Sequence, residues 1–467
     1  MVVGSLTQET EVAVIGAGPG GYVAALRLAD LGKEVILIEE RERSGGVCLI
    51  EGCIPSKVLI NLIDLANTAR EAREKGLNVG DISFDIPVLR KWTASVVDGL
   101  TQGVDTLLKR RGVEVIRGRA HLENNHHLTI NGGTTIEFKN LVIATGSRIN
   151  ELPSAYNLPL WSSAEALKIP EVPERLVVVG GGYIGLEMGL VYAGLGSKVT
   201  MVEYFDRLLL GADPDLVKVM EKNCQKRFEN ILVDSKVEKV EKNGEGYIVS
   251  VDHKGEKVNI ETDRVLVAIG RKPNTDNIGL ENTNIKVNER GLIEVNEEGR
   301  TIVPHIFAIG DVTPGPALAH KASREAKVVA EVIAEHKAAF DNRAIPAVVF
   351  TDPEIAWSGL TEREAEAKGI KVNVGRFPLR ALGRARTLGR TEGLVKILSD
   401  PDSNLVLGVG MVGAHVSELI AEATLAIEMG ATLEDLMVTI HPHPTLSEAI
   451  MEAAEVAAGS PIHITKS

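Results

Sequence analysis

Two cysteines in the first quarter of the chain, Cys48 and Cys53, are the side chains whose type and spacing best suit chemistry. They stand five residues apart in the run GGVCLIEGCIPSK, residues 45–57. The pair has three possible interpretations: two inert thiols, half of a metal site, or a redox-active pair. Residues five apart in a regular helix have Cα atoms about 8–9 Å apart, whereas a disulfide needs less than about 7 Å. A bond between these thiols therefore requires a distorted helix, which Gly52 permits.

Further ligands for a metal ion are missing around this pair. The chain has three cysteines, and the third, Cys224, stands far from any Cys/His cluster. A metal site in such a sequence normally shows a second group of Cys or His at a fixed spacing. We therefore expect no metal, and we expect Cys224 to be a buried, inert thiol.

The run HPHPTLSE at residues 441–448 contains a second candidate, His443. Thr445 and Glu448 have the spacing of a capping box, in which Glu448 caps a helix and His443 lies on the approach to it. A histidine that acts as a general base needs a carboxylate that fixes its tautomer and stabilises the imidazolium, and Glu448 could supply it. The spacing alone leaves both interpretations open, and the two roles of Glu448 are compatible.

The elements that must position these side chains begin with an internal repeat. A buried strand, a glycine-rich turn, a helix and a second strand ending in Glu occur twice, with corresponding residues 164 apart. The glycines allow a tight turn, close approach to a pyrophosphate and close helix–strand packing, and the closing carboxylate accepts ribose hydroxyls. Two copies in this context predict two dinucleotide-binding units and favour the redox interpretation of the cysteine pair. The fingerprint residues are Gly16, Gly18, Gly21 and Glu39 in the first unit and Gly180, Gly182, Gly185 and Glu203 in the second.

Three further strands of buried type end in glycine turns, at residues 141–147, 265–271 and 306–311. The carboxyl ends of such strands face ligand crevices in α/β sheets. Beyond them the pattern changes to short alternating strands and two amphipathic helices, over residues 416–429 and 447–458. We predict an α/β fold with two Rossmann-like dinucleotide-binding domains and a C-terminal α+β domain.

Composition excludes several classes of protein. The 467 residues carry 51 Lys and Arg against 64 Asp and Glu, a net charge of −13, which disfavours nucleic-acid binding. No apolar run approaches the roughly 18 residues of a membrane span, and residues 1–11 show no secretory signal. We expect a protein of a reducing cytoplasm, with no membrane or nucleic-acid partner.

Taken together and in this order, the motifs resemble those of the flavin-dependent disulfide reductases. The resemblance covers essentially the whole chain. The run at residues 45–57 is highly specific to the family, and the run at residues 441–448 is specific to its lipoamide branch. The resemblance implies FAD and NAD as cofactors, a homodimer and four domains. These are a FAD-binding domain with the redox Cys loop (1–150), a NAD-binding domain (151–275), a central domain completing the FAD site (276–345) and an interface domain for dimerisation (346–467).

The resemblance also implies a reaction. Cys48 and Cys53 form the redox disulfide, with Cys48 exchanging with substrate and Cys53 touching the flavin. His443, oriented by Glu448, acts as the base and reaches into the site of the other subunit. Protein-bound dihydrolipoyl groups are oxidised through the disulfide and FAD, and NAD⁺ is reduced to NADH.

Cofactor contacts follow by the same motif matches. Lys57 and Glu187 pair near the flavin in the family and count with the catalytic residues. The FAD contacts implied are Gly16, Gly18, Gly21, Glu39, Lys57, Thr145, Gly146, Ser147, Asp311 and Ala319, and the NAD contacts are Gly180, Gly182, Gly185, Glu187, Glu203 and Gly270.

The partners implied belong to the 2-oxo acid dehydrogenase or glycine-cleavage complexes. They are the dihydrolipoyl domain of an acyltransferase, or a glycine-cleavage carrier protein, and the basic peripheral subunit-binding domain of the acyltransferase core. The acidic chain suits a basic partner electrostatically.

Departures from the family pattern are small. Pro442 and Ile50 replace the more usual Ala and Asn, and we expect them only to tune the site. NADPH-dependent relatives place an Arg where Glu203 ends its strand, and Arg207 is the nearest Arg here. A carboxylate at Glu203 repels a 2′-phosphate, so NAD is favoured.

Two alternative functions remain at this point. A protein that mainly serves as a structural subunit predicts salt-sensitive binding to a basic domain. A flavin oxidase with no disulfide role predicts that Cys48→Ser leaves turnover with NADH and oxygen as the only activity.

Overall fold

A computed structural model describes residues 7–155 and 157–465. The expectation about the extreme N-terminus concerns residues 1–6 in part, and these lie outside the described residues. The strands are β1 (Thr7–Ile15), β2 (Val35–Glu39), β3 (Glu114–Arg117), β4 (Ala120–Leu122), β5 (His127–Ile130), β6 (Thr134–Ile143), β7 (Ser147–Ile149), β8 (Arg175–Val179), β9 (Lys198–Val202), β10 (Asn230–Leu232), β11 (Ser235–Asn243), β12 (Gly246–His253), β13 (Glu256–Thr262), β14 (Arg264–Val267), β15 (Arg271–Pro273), β16 (Ile306–Ala308), β17 (Ala347–Val349), β18 (Glu354–Gly359), β19 (Asn373–Pro378), β20 (Leu394–Ser399) and β21 (Val406–Gly413). The helices are α1 (Pro19–Asp30), α2 (Gly46–Glu51), α3 (Cys53–Ala72), α4 (Ile86–Arg110), α5 (Ser163–Leu167), α6 (Tyr183–Leu195), α7 (Pro214–Arg227), α8 (Ala319–Ile333), α9 (Glu362–Lys368), α10 (Gly383–Leu388), α11 (Val416–Met429), α12 (Leu433–Val438) and α13 (Glu448–Ala457).

The first sheet has the strand order β3-β2-β1-β6-β5-β4, with β16 added beside β6. The pairs β3–β2, β2–β1, β1–β6 and β6–β16 are parallel. The C-terminal ends of the central strands β1 and β6 are apolar and buried because both faces of the sheet are covered there. Val12 and Val14 pack on the helix side, and Ala13 and Ile15 pack on the opposite face. Strand β16 brings part of the 276–345 segment into the same sheet and the same core as the N-terminal unit.

The second sheet repeats the parallel βαβ arrangement, in the order β10-β9-β8-β14. Helix α6 covers one face and is apolar nearly all round, since eight of its residues are buried. The antiparallel sheet β11-β12-β13 covers the other face, where Val177 and Val179 meet Val249 and Val251. A short antiparallel ribbon is formed by β7, which precedes the second parallel sheet in the chain, and β15, which follows it. The two Rossmann-like units predicted from the repeat are confirmed.

The C-terminal region is a five-stranded sheet in the order β17-β18-β21-β20-β19, with antiparallel neighbours. Helices α11 and α13 cover it, and their buried residues join one core with Val395, Ile397 and Met411. Helix α11 spans the residues that the amphipathic pattern predicts, and α13 lies within its predicted range. The predicted α+β domain is therefore present.

One expectation about apolar segments is wrong. Among the described residues, the helical stretch Gly46–Lys75 is long and apolar enough to cross a membrane by length and composition. Its Leu59, Ile60 and Ile63 are buried in the core that they share with the second unit. The core helix of a soluble protein meets the same criteria, so this single stretch is weak support for a membrane span.

Candidate active site

Most of the predicted site residues line one cavity of about 770 Å³. Its wall is formed by the β1–α1 turn, the cysteine segment, and the starts of α6 and α8. The predicted residues that line it are Gly16, Gly18, Glu39, Cys48, Cys53, Lys57, Thr145, Gly146, Ser147, Glu187, Asp311 and Ala319. Gly180, Gly182, Gly185, Glu203 and Gly270 belong to the second unit and lie outside this cavity, as do His443 and Glu448.

The turn between β1 and α1 is built so tightly that only glycine fits at two positions. Gly16 has φ +98°, and a Cβ on Gly21 would lie 1.7 Å from the carbonyl oxygen of Gly16. Helix α1 begins directly after Gly18, whose backbone is extended. The first N–H groups of the helix are therefore available at the cavity wall, with the positive end of the helix dipole.

The second unit reproduces this geometry. Gly180 has φ +108°, and a Cβ on Gly185 would lie 1.9 Å from the carbonyl oxygen of Gly180. Helix α6 begins after Gly182 with the same extended backbone. Glu187, in the second turn of this helix, lines the first cavity, whereas Gly180, Gly182 and Gly185 do not.

The cysteine segment is a broken helix, which the spacing argument requires if the two thiols are to form a disulfide. Helix α2 ends at Glu51 and α3 begins at Cys53, with Gly52 between them at φ −143° and ψ −113°. A Cβ on Gly52 would lie 2.8 Å from the carbonyl oxygen of Val47, so a glycine is needed for this close approach. Both cysteines are free thiols in the structure. The disulfide itself stays a prediction.

The two thiols are strongly unequal in acidity. A hydrogen bond from Cys48 lowers the pKa of Cys53 to about 7, and the nearby charge of Lys57 lowers it further against the effect of burial. The same hydrogen bond and burial raise the pKa of Cys48 far above its usual range. Of the two thiols, Cys53 is therefore the more acidic, and a thiolate is the form that transfers electrons and exchanges with disulfides.

Lys57 and Glu187 form an ion pair between two domains. The Nζ of Lys57 on α3 lies 2.8 Å from Oε2 of Glu187 on α6, and the Glu187 side chain is 5% exposed. The other carboxylate oxygen, Oε1, accepts a hydrogen bond of 3.1 Å from the backbone N–H of Phe350. The ring of Phe350 lies over the ammonium, with Nζ 4.3 Å from the ring centroid.

A third group of polar side chains surrounds Asp311, which follows β16. The Ser147 hydroxyl donates to Oδ2 of Asp311 at 2.5 Å, and Nε of Arg271 donates to the same hydroxyl oxygen at 2.8 Å. The Thr145 hydroxyl donates to the carbonyl of Asn274 at 2.7 Å. These contacts join the ends of two strands at one wall of the cavity, as expected for a ligand crevice in an α/β sheet.

His443 and Glu448 form a pair of their own at the C-terminal domain. The Nδ1 of His443 lies 2.8 Å from Oε1 of Glu448, and the His443 side chain is 78% exposed. Burial raises the pKa of Glu448, but hydrogen bonds from His443 and from the N–H of Thr445 lower it to a value below the usual range. The pair has the polarity of a general base with an orienting carboxylate.

The capping-box interpretation of Glu448 is only half right. The backbone N–H of Thr445 donates to Oε2 of Glu448 at 2.8 Å. The Thr445 hydroxyl instead donates to the carbonyl of Pro442 at 2.7 Å, and the helix begins at Glu448 itself. Glu448 therefore holds the loop that carries His443 and also binds the ring of that histidine.

Three residues at the cavity or beside it were not assigned a role from the sequence. Tyr183, within the second glycine fingerprint, and Arg271, directly after a strand-ending glycine, both line the cavity. Their positions beside motif glycines are a signal that could have found them. Phe350 contacts the ion pair from the C-terminal domain, and nothing in its local sequence indicates this.

The cavity fits FAD. Its volume lies in the range of cofactor pockets, Gly16 and Gly18 of the β1–α1 turn line it without a side chain, and the Glu39 carboxylate lies at the end of β2. The thiols lie in the same cavity. A flavin bound by these groups would reach the cysteine pair within one enclosed site.

Comparison with known proteins agrees with this architecture. Residues 10–326 match the pyridine nucleotide-disulphide oxidoreductase family, and residues 345–454 match its dimerisation domain. Dihydrolipoyl dehydrogenases of Geobacillus stearothermophilus and Haloferax volcanii are 47% and 46% identical to this chain, with 99% of each chain covered. The solved structure of LpdA from Mycobacterium tuberculosis aligns with a TM-score of 0.88 at 28% identity, over 96% of this chain and 99% of that chain. The flavoprotein disulfide reductase RclA from Escherichia coli aligns with a TM-score of 0.85 at 28% identity, over 96% and 99%.

The chain belongs to the pyridine nucleotide-disulphide oxidoreductase family. It is an oxidoreductase with the FAD and NAD cofactors of that family, and it carries the family's dimerisation domain, which supports a homodimer. Its full-length relatives place it in the dihydrolipoyl dehydrogenase branch.

Proposed function

We propose that this protein is a dihydrolipoyl dehydrogenase, which oxidises protein-bound dihydrolipoyl groups and reduces NAD⁺. The single observation that carries the proposal is the position of Cys48 and Cys53 in one dinucleotide cavity with the Lys57–Glu187 ion pair. A thiolate of pKa about 7 suits a dithiol that must cycle between oxidised and reduced forms near neutral pH.

The substrate half-reaction is a thiol–disulfide exchange at Cys48. His443 accepts the proton of one dihydrolipoyl thiol, and the resulting thiolate attacks Sγ of Cys48 in the Cys48–Cys53 disulfide. The disulfide breaks, and Cys53 leaves as the thiolate because its pKa is the lower of the two. The second dihydrolipoyl thiol then attacks the mixed disulfide, which releases the oxidised lipoyl ring and leaves Cys48 reduced.

The cofactor half of the site is held by the chain's glycines and carboxylates. Gly16, Gly18 and Gly21 shape the pyrophosphate turn, Glu39 accepts ribose hydroxyls, and the Asp311 and Lys57 side chains face the cavity. When bound, FAD supplies the two-electron transfer between the dithiol and NAD⁺. The remaining FAD contacts proposed are Thr145, Gly146, Ser147 and Ala319, the last at the start of α8.

The base comes from a second copy of the chain. His443 is exposed and lies outside the cavity of its own chain, while its Nδ1 is engaged by Glu448. Its Nε2 is therefore the atom directed to a substrate, and a partner subunit must bring that substrate to it. The dimerisation match over residues 345–454 supports this arrangement.

NAD rather than NADP is the nicotinamide cofactor that the second unit suits. Both oxygens of Glu203 accept backbone N–H groups, from Gly181 and Phe205, so the carboxylate is fixed at the end of β9. A fixed negative charge there binds ribose hydroxyls and repels a 2′-phosphate. Gly180, Gly182, Gly185 and Gly270 complete the proposed NAD site, with Glu187 linking it to the flavin side.

The proposed partners are a lipoyl-bearing domain and a basic peripheral domain of an acyltransferase core, and the proposed location is the cytoplasm. The net charge of −13 favours association with a basic partner. Titration of the protein with such a domain at rising salt tests this part, because electrostatic association weakens as ionic strength rises. An affinity that is independent of salt would contradict it.

The function is tested by an anaerobic titration of the FAD-loaded protein with dihydrolipoamide, followed by addition of NAD⁺. We expect a long-wavelength thiolate–flavin absorbance after two electrons, which disappears as NADH forms. If the protein is yellow and is reduced by NADH but not by dihydrolipoamide, the flavoprotein fold is supported and the dihydrolipoyl substrate is overturned. Cys48→Ser should abolish turnover with dihydrolipoamide; retention of that turnover would overturn the disulfide route.

A further inference from the structure

Phe350 belongs to the C-terminal domain, yet it touches the ion pair beside the thiols of its own chain. Its ring lies over Nζ of Lys57 at 4.3 Å from the centroid, and its N–H donates to Oε1 of Glu187 at 3.1 Å. One residue therefore contacts both members of the pair, the cation through its side chain and the anion through its backbone. Lys57 and Glu187 also contact each other directly, at 2.8 Å, without Phe350 between them.

The segment that carries Phe350 is anchored to the other two domains. Two residues further on, Asp352 pairs with Arg227 of α7 and, at 3.1 Å, with Arg390. Arg390 also reaches α3, where its Nη2 lies 3.5 Å from Oε2 of Glu71. Because these partners lie on separate elements, the loop after β17 is held in place independently of the aromatic ring.

We propose that Phe350 is a positioning residue that holds the Lys57 ammonium against Glu187 and beside Cys53. The inference deepens the proposed function, on which it rests for the role of Cys53 as the electron-transferring thiol. The dimerisation domain then does more than join two subunits, since it also orders the charge next to the dithiol of its own chain.

Loss of the ring has a defined electrostatic consequence. An aromatic face attracts a cation through its quadrupole, and the contact competes with hydration of the ammonium. The groups that face Cys53 are Cys48 from α2, Lys57 from α3, and Glu187 and Tyr183 from α6. Among them, Lys57 is the cation that stabilises the thiolate, so a displaced Lys57 leaves Cys53 less acidic.

The test uses the FAD-loaded dimer in a Cys48→Ser background and measures the rate at which iodoacetamide alkylates Cys53 as a function of pH. Phe350→Leu keeps the backbone N–H and removes the ring. We expect the alkylation rate at pH 7 to fall about two- to fivefold, the size of a cation–π contact. Phe350→Tyr keeps the aromatic face and should restore the parent rate. The control is Phe340→Leu, which replaces a partly buried phenylalanine packed on the helix side of the first sheet. It should leave the alkylation rate of Cys53 unchanged.

A double substitution separates positioning from general loss of packing. In a Lys57→Met background, Phe350→Leu should cause no further change, because the effect passes through the ammonium. If Phe350→Leu does not fold, Phe350→Met fills the space without a ring and replaces it. Equal alkylation profiles for the Leu, Met and Tyr variants would overturn the proposal, as would an unchanged effect of Phe350→Leu in the absence of Lys57.

Failure of this proposal and failure of the proposed function can be told apart. Alkylation of Cys53 needs no lipoyl substrate. If substitution of Phe350 slows alkylation of Cys53 in a protein that does not oxidise dihydrolipoamide, the positioning role is supported and the substrate is another disulfide or dithiol. If the protein oxidises dihydrolipoamide but substitution of Phe350 does not change the alkylation of Cys53, the proposed function stands and the positioning role of Phe350 is overturned.

Discussion

Glu39 and Glu203 make the same two hydrogen bonds in two different domains. Oε2 of Glu39 accepts the N–H of Ala17 at 2.7 Å and its Oε1 accepts the N–H of Arg41 at 2.9 Å. Oε2 of Glu203 accepts the N–H of Gly181 at 2.5 Å and its Oε1 accepts the N–H of Phe205 at 2.8 Å. Each carboxylate is thereby oriented before any ribose arrives, which reduces the cost of binding.

Substitution of these glutamates should separate the two cofactors. Glu203→Ala removes a charged acceptor from the NAD site, so kcat/KM for NAD⁺ should fall about 10- to 100-fold, as for loss of hydrogen bonds to a charged group. FAD content should stay unchanged. Glu39→Ala should instead weaken FAD retention, measured by the flavin released on gel filtration. Equal effects of both substitutions on both cofactors would contradict the division of the sites.

The acidity of Cys53 gives a pH dependence with a definite sign. Because its pKa is lowered to about 7, the thiolate is present above that pH and is lost as the pH falls below it. The long-wavelength absorbance of the FAD-loaded protein after reduction by two electrons should therefore grow as the pH rises from about 6 to 8. Lys57→Met should move the midpoint upward. A midpoint that stays near the ordinary value for a thiol, in both proteins, would contradict the assignment.

His443→Gln should remove the base and leave the rest of the protein intact. Turnover of dihydrolipoamide should fall about 10²- to 10⁴-fold, the usual contribution of a general base, while reduction of ferricyanide by NADH should persist. His336→Gln is the matched control, since His336 pairs with Glu331 at 2.6 Å outside the site. Dimers formed from His443→Gln and Cys48→Ser chains should regain activity, because one of their two sites has both groups. No recovery in the mixture would count against a base supplied by the partner subunit.

Lys396 offers a test of stability rather than activity. Its ammonium is fully buried, 2.6 Å from Asp213, 2.7 Å from Asp215 and 3.2 Å from Glu362. Lys396→Met leaves these carboxylates without their shared cation, so the free energy of unfolding should fall by about 3–5 kcal/mol in denaturant titrations.

The same site has a pH dependence that checks the cause. Burial raises the pKa of Asp215, but hydrogen bonds from Lys396 and Arg376 lower it below its usual value. A carboxyl with a lowered pKa adds stability above its unfolded pKa and loses it as the pH falls. The difference between wild type and Lys396→Met should therefore shrink below about pH 4. Lys198→Met, at an exposed pair with Glu174, should change stability by no more than about 1 kcal/mol.

The local parts of the site could be predicted from residue types and their spacing. Spacing and residue type were enough for the two glycine turns, for Glu39 and Glu203 at the strand ends, and for a helix broken at Gly52. These features depend on backbone sterics over a few residues, which a pattern of glycines reports directly. The contact between Lys57 and Glu187 came from the family resemblance, since no local rule joins residues 130 apart.

The tertiary structure decided how distant segments meet. It placed β16 in the first sheet, so that Asp311 reaches Ser147, and it brought Phe350 of the C-terminal domain onto Lys57. It also left His443 exposed and outside the cavity of its own chain. Such contacts depend on how whole sheets and helices pack, and packing is set by the sum of many weak contacts over the chain. The local sequence therefore indicates which side chains could take part in chemistry. Only the folded chain determines which of these side chains lie close enough to act together.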